Sequence, residues 1–116
     1  MPTSYIPQTQ ALQLPFFNCR QWVSCSDIVR FEGVGNYTRC YFRDGSKILV
    51  ARSLKVLSGR LPDGAFVRVH RKHLLNVQFI RSLSVAFCQV IMSNGEQIPV
   101  ARRRVAECRA YWASLN

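Results

Sequence analysis

Acidic residues are scarce in this chain of 116 residues: six Asp and Glu stand against sixteen Lys and Arg, a formal charge of +10. Histidine is scarcer still, with His70 and His73 alone, and neither lies in HExxH or another metal-binding spacing. There is no GxSxG elbow and no P-loop, and Gly33-Val-Gly35 lacks the third glycine and the following helix of a dinucleotide loop. The few acids are scattered, mostly at turns (Asp44, Asp63) or on exposed faces (Glu96, Glu107), so none are paired for acid–base chemistry. An enzyme is not expected, and nothing calls for a cofactor or a metal.

Long apolar runs are also missing. No stretch approaches the roughly 20 residues of a membrane span, and the uncharged segment Ser82–Gly95 is too short and too rich in turn residues. No charge precedes Arg20, and Pro2, Pro7 and Pro15 would break an apolar leader, which argues against a secretory signal. The cysteines (Cys19, Cys25, Cys40, Cys88, Cys108) are odd in number, widely spaced and without a CxxC pair. They read as free thiols in a reducing compartment, with Cys40 and Cys88 on strand faces shared with Phe42, Val90 and Met92, as buried thiols are. A cytoplasmic protein with no membrane insertion is expected.

What the chain has is enough apolar material, 48%, for one domain with a core. Thirteen of the sixteen cations are Arg, whose rigid fork suits phosphate and base edges better than the point charge of Lys. A small, foldable and strongly basic domain points to a polyanion.

Residues 1–15 carry no charge and three prolines, and read as a flexible lead-in to a domain spanning 16–116. Strand signals then dominate. Ile28–Phe31 runs into a turn at Gly33-Val-Gly35-Asn36, and Tyr37–Phe42 alternates, with Thr38, Cys40 and Phe42 on one face and Tyr37, Arg39 and Tyr41 on the other. Asp44-Gly45 suggests a type I′ hairpin into Ile48–Ala51. Further strands are expected at Phe66–Val69, Leu74–Asn76, Ile80–Ser84, Phe87–Met92 and Gln97–Val100, with a tight turn at Asn94-Gly95. Ser53 caps a short helix carrying Leu54, Leu57 and Leu61, and Arg102 to about Ala113 forms a C-terminal helix with Val105, Cys108 and Trp112 on its apolar stripe. The fold class is α+β, predominantly antiparallel β.

Three segments carry chemistry. Arg102, Arg103 and Arg104 fall in the first turn of the expected helix, where the macrodipole disfavours cations, and Ala101 before them is a poor cap. A phosphate would resolve that conflict. Arg71 and Lys72, with Arg68 nearby and His73 adding donors, form a second basic cluster. Asn36, Tyr37, Thr38 and Arg39 form a third, mixing groups that can read base edges with a cation that can hold a phosphate.

In order, Asp27-Ile-Val-Arg-Phe-Glu-Gly33, Gly35-Asn-Tyr-Thr38, Asp44-Gly45, Ser53-Leu-Lys55, Phe66-Val-Arg-Val-His-Arg71 with Leu75-Asn76, Asn94-Gly95 and Pro99-Val-Ala-Arg-Arg-Arg104 resemble the LytTR DNA-binding domain. That family supplies the output domain of many bacterial response regulators. The resemblance covers about Phe16 to Trp112 and implies an elongated, mostly β fold whose loops enter successive major grooves of double-stranded DNA. It implies a sequence-specific transcription regulator binding paired, directly repeated promoter-proximal sites, as a dimer or side by side. The DNA-facing loops would be Asn36–Arg39, His70–His73 and Ala101–Arg104, with Arg71 and Arg103 closest to the bases. Lys72 and His73 stand where the family usually has Ser and an aromatic residue, and Ala101 where it usually has Ser. Fifteen residues ahead of the fold leave no room for a receiver domain, so phosphorylation control within the chain is not expected. The rival readings are an RNA or single-strand binder stacking bases on Tyr37 and Tyr41, and a protein-interaction module that sequesters a partner regulator.

Overall fold

A computed structural model describes residues 11–15 and 20–114, with side chains from Val23 onward. Two strands, β1 (Ala11–Pro15) and β2 (Arg20–Ser24), pair antiparallel as a hairpin. The segment read as a lead-in is thus partly corrected: Ala11–Pro15 is strand, while residues 1–10 and Cys19 lie outside the described residues. Backbone hydrogen bonds to β2 make this strand, and they need no alternation of side chains.

The centre of the molecule is a five-stranded antiparallel sheet. It contains β3 (Ile28–Val34), β4 (Tyr37–Phe42), β5 (Lys47–Val50), β6 (Phe66–His70) and β7 (His73–Asn76), in the order β5-β4-β3-β7-β6. A three-stranded sheet of β8 (Ile80–Ser84), β9 (Gln89–Met92) and β10 (Gln97–Pro99) packs beside it, with β9 central. Helix α1 (Leu54–Ser58) follows β5, and α2 (Val105–Ser114) ends the described chain. The principal extents are 44 × 31 × 24 Å.

Period-2 alternation gives the large sheet two apolar faces and therefore two cores. Ile28, Phe31, Cys40, Val50 and Leu74 meet Leu54 and Leu57 of α1 on one face. Val29, Val69 and Leu75 meet Val90, Met92 and Ile98 of the small sheet, together with Cys108 of α2, on the other. Ser53 caps α1 as expected, its hydroxyl accepting from the Val56 amide at 3.3 Å.

Three local expectations are corrected. At Asp44-Gly45 the Phe42 amide bonds the Ser46 carbonyl, enclosing three loop residues, and Gly45 alone has positive φ (+91°). A type I′ turn needs positive φ at both central residues. The Asn94-Gly95 turn repeats this build, and in both turns the Asx carboxyl or amide oxygen accepts from the amide two residues on. Secondly, Cys88 precedes β9, is only half-buried and has φ of +52°, so it is not the buried strand thiol expected. Finally, Arg102–Arg104 forms a 3-10 turn ahead of α2 rather than its first α-helical turn, and Ala101 provides no side-chain cap.

Candidate nucleic-acid interface

Antiparallel pairing brings the three basic segments to one end of the large sheet. Val34 pairs with Tyr37 across the Gly35-Asn36 turn, and His70 pairs with His73 across the Arg71-Lys72 turn. Because Glu32 lies opposite both Arg39 and His73, these two turns share the same end. The Gly33 amide ties them, donating to the Lys72 carbonyl at 2.8 Å. The Ala101 amide donates to the Val69 carbonyl, also at 2.8 Å, and so starts the arginine triad beside the end of β6.

The β6–β7 turn is held from within. A β-bulge between Arg68 and His70 bends the strand, and the Arg68 guanidinium donates to the carbonyls of His70 (2.9 Å) and Arg71 (2.6 Å). The Lys72 amide donates to His70 Nδ1 at 3.1 Å. Arg71 and Lys72 are left exposed at the tip.

Apart from Arg39, the cations at this end have no paired carboxylate among the described residues. Burial and then the cations Arg71, Lys72, Arg68 and Arg104 push the His70 pKa down. Arg68 is likewise lowered, first by burial and then by Arg104. Arg104 is half-buried, and its Nε lacks a hydrogen-bond partner. Among the described residues the ion pairs are Arg30–Glu96, Arg39–Glu32 and Arg43–Asp27, and none of them includes Arg68, Arg71, Lys72 or the triad.

The sites expected from sequence separate into two groups. Asn36, Tyr37, Arg71, Lys72, Arg102 and Arg103 are exposed at this end. Thr38 is not: it is fully buried, and its hydroxyl donates to the Arg52 carbonyl at 2.8 Å. His73 is 9% exposed and faces the polar layer of Glu32 and Arg30. Neither side chain is exposed at this end, in contrast to the expectation that both face outward. Arg39 lies between the groups, half-exposed but held by Glu32 at 3.1 Å. The sequence reading missed Arg52, a lone arginine whose carbonyl is fixed to this end by Thr38.

The sequence model of one family, the LytTr DNA-binding domain, matches residues 20–113. The chain belongs to that family. A LytTr DNA-binding domain from Bacillus cereus, described as part of a methyl-accepting/DNA response regulator, superposes with a TM-score of 0.75. At 22% identity, over 89% of this chain and 96% of that one, it shows a shared fold. Two heme-containing CO-sensing transcriptional regulators of Paraburkholderia xenovorans, RcoM 1 and RcoM 2, are 37% and 33% identical over 72% and 75% of this chain. The sensory transduction protein LytT of Bacillus subtilis is 35% identical over 52% of the chain. The matched region spans 32%, 34% and 26% of these three relatives, so the chain corresponds to about a third or less of their length. No helix among the described residues is long and apolar enough to cross a membrane.

Proposed function

We propose that this LytTR domain recognises double-stranded DNA in a sequence-specific manner and serves transcription regulation. The Gly35-Asn36 turn, the Arg71-Lys72 turn and the arginine triad would enter successive major grooves at repeated promoter-proximal sites. One observation carries this reading: the fold gathers Arg68, Arg71, Lys72, Arg102, Arg103 and Arg104, and among the described residues no carboxylate pairs with them. Like charges held together are unfavourable until an external polyanion neutralises them. Exposed Asn36, Arg71 and Arg103 supply the donors that base edges accept.

Fluorescence anisotropy across a salt series tests the reading. Affinity for a duplex is expected to fall with a log–log slope of about −0.9 per phosphate contacted, and to be steeper overall than about −3. Single strands and RNA competing better than duplex would instead support base stacking on the β-face aromatics. A flat salt response would overturn nucleic-acid binding altogether.

A further inference from the structure

Phe87 is 77% exposed, the most accessible large apolar side chain among the described residues, and Val85 beside it is also exposed. Both lie in the β8–β9 turn, which is firmly held. The Phe87 amide donates to Ser84 Oγ at 3.3 Å, the Cys88 amide to the Val85 carbonyl at 3.3 Å, and the Cys88 carbonyl accepts from the Val100 amide at 2.8 Å. Cys88 adopts its left-handed conformation here without being glycine, at a cost of about 1 kcal/mol or more. The fold thus strains one residue and leaves a phenyl ring in water, although Phe87 belongs to neither core.

The position of the turn supplies a reason. Val100, bonded to Cys88, directly precedes Ala101 and the arginine triad, so the β8–β9 turn that carries Phe87 is joined to the backbone leading into the triad. Exposed Val34 and Tyr37 flank the Gly35-Asn36 turn at the same end of the large sheet. The tip carries no charge of its own: Ser82–Gly95 has none. A major groove lined by phosphates offers one apolar group on its base edges, the C5-methyl of thymine.

We infer that Phe87 is a specificity-determining DNA contact, its ring packing on a thymine methyl beside the phosphates held by the triad. This rests on the duplex-binding reading above and adds an apolar contact to its polar ones. Because the ring touches no phosphate, its removal leaves the salt slope unchanged.

The test uses the full chain and a duplex it selects from a random pool, with thymines replaced one at a time by uracil. One replacement is expected to weaken wild-type binding roughly fourfold, the loss of one buried methyl. Phe87→Ala is expected to weaken specific binding by at least that factor, to lose sensitivity to that uracil and to keep the wild-type salt slope, while Phe87→Leu restores part of the affinity. Wild-type affinity and an unchanged uracil profile in Phe87→Ala would overturn the inference while leaving duplex binding intact. So would a defect seen only on paired sites, which would make the tip a contact between copies. Failure of the wild-type chain to select any duplex would overturn both readings together.

Discussion

Arg30 in β3 and Glu96 beyond the β9–β10 turn are joined by two hydrogen bonds, Nε to Oε1 at 3.1 Å and Nη2 to Oε2 at 2.8 Å. The guanidinium also lies 3.8 Å over the Tyr41 ring, and its side chain is 8% exposed. This pair links the large sheet to the hairpin that leads into the arginine triad. Its strength comes from bidentate geometry at a buried cation.

Glu96→Ala is therefore expected to destabilise the domain by about 1–3 kcal/mol, since it leaves a buried guanidinium without its carboxylate. Arg30→Met with Glu96→Gln is expected to recover part of that loss, as no buried charge is then left without its partner. Urea unfolding of the two variants checks this. A Glu96→Ala midpoint equal to wild type would show that the pair contributes nothing.

Stability should also depend on pH through His73. Burial, then the neighbouring His70, push its pKa below the ordinary 6.5, with Glu32 opposing, and its Nδ1 has no hydrogen-bond partner. The folded state resists the proton while the unfolded chain accepts it near pH 6.5. Stability is full above that pH and falls as the pH drops toward the lowered folded value. His70 shifts the same way. Glu96, held below its ordinary 4.5 chiefly by the Arg30 hydrogen bond, loses its contribution only at still lower pH. Melting temperature is expected to decline between about pH 7 and 5, and His73→Phe to make that decline shallower. An unchanged slope in the variant would exclude His73 as its source.

The cysteines give an independent check on packing. Cys40 is fully buried and its thiol is pushed strongly up by burial, and Cys25 and Cys108 are buried and raised for the same leading reason. Cys88 is half-buried. Iodoacetamide is expected to modify Cys88 first of these four, and Cys40 only after unfolding. Peptide mapping after timed alkylation decides it; equal rates at Cys40 and Cys88 would contradict the described core.

The strands were legible where alternation was strong, and Tyr37–Phe42 has the bounds its pattern gives. The same alternation placed Thr38 with Cys40 and Phe42, which already marked it as an inward residue. His73 carried no such signal, because its burial depends on Glu32 and Arg30 in another strand. The Arg30–Glu96 pair spans 66 residues, and no local pattern foretells it. Cys88 and Phe87 were also hidden: a strained turn built without glycine or asparagine looks like strand in sequence.

The 3-10 turn sets how the three arginines are displayed. Three residues per turn set successive side chains about 120° apart, so Arg102, Arg103 and Arg104 point in three directions. Arg102 and Arg103 are exposed, while Arg104 turns partly inward beside Arg68. On the reading proposed above, Arg103 and Arg71 would meet base edges, where a bidentate guanine contact gives about 1–3 kcal/mol of discrimination. Arg103→Ala is then expected to lower the ratio of specific to non-specific affinity by roughly tenfold or more. Arg104→Ala is expected to lower both affinities together and to flatten the salt slope by about 1, as loss of a phosphate contact does. It should not destabilise the free domain, because it also removes a like charge next to Arg68. Arg43, in the β4–β5 turn at the opposite end of the large sheet, serves as the control. An unchanged specificity ratio in Arg103→Ala, or equal damage from Arg43→Ala, would show that recognition lies elsewhere on the domain.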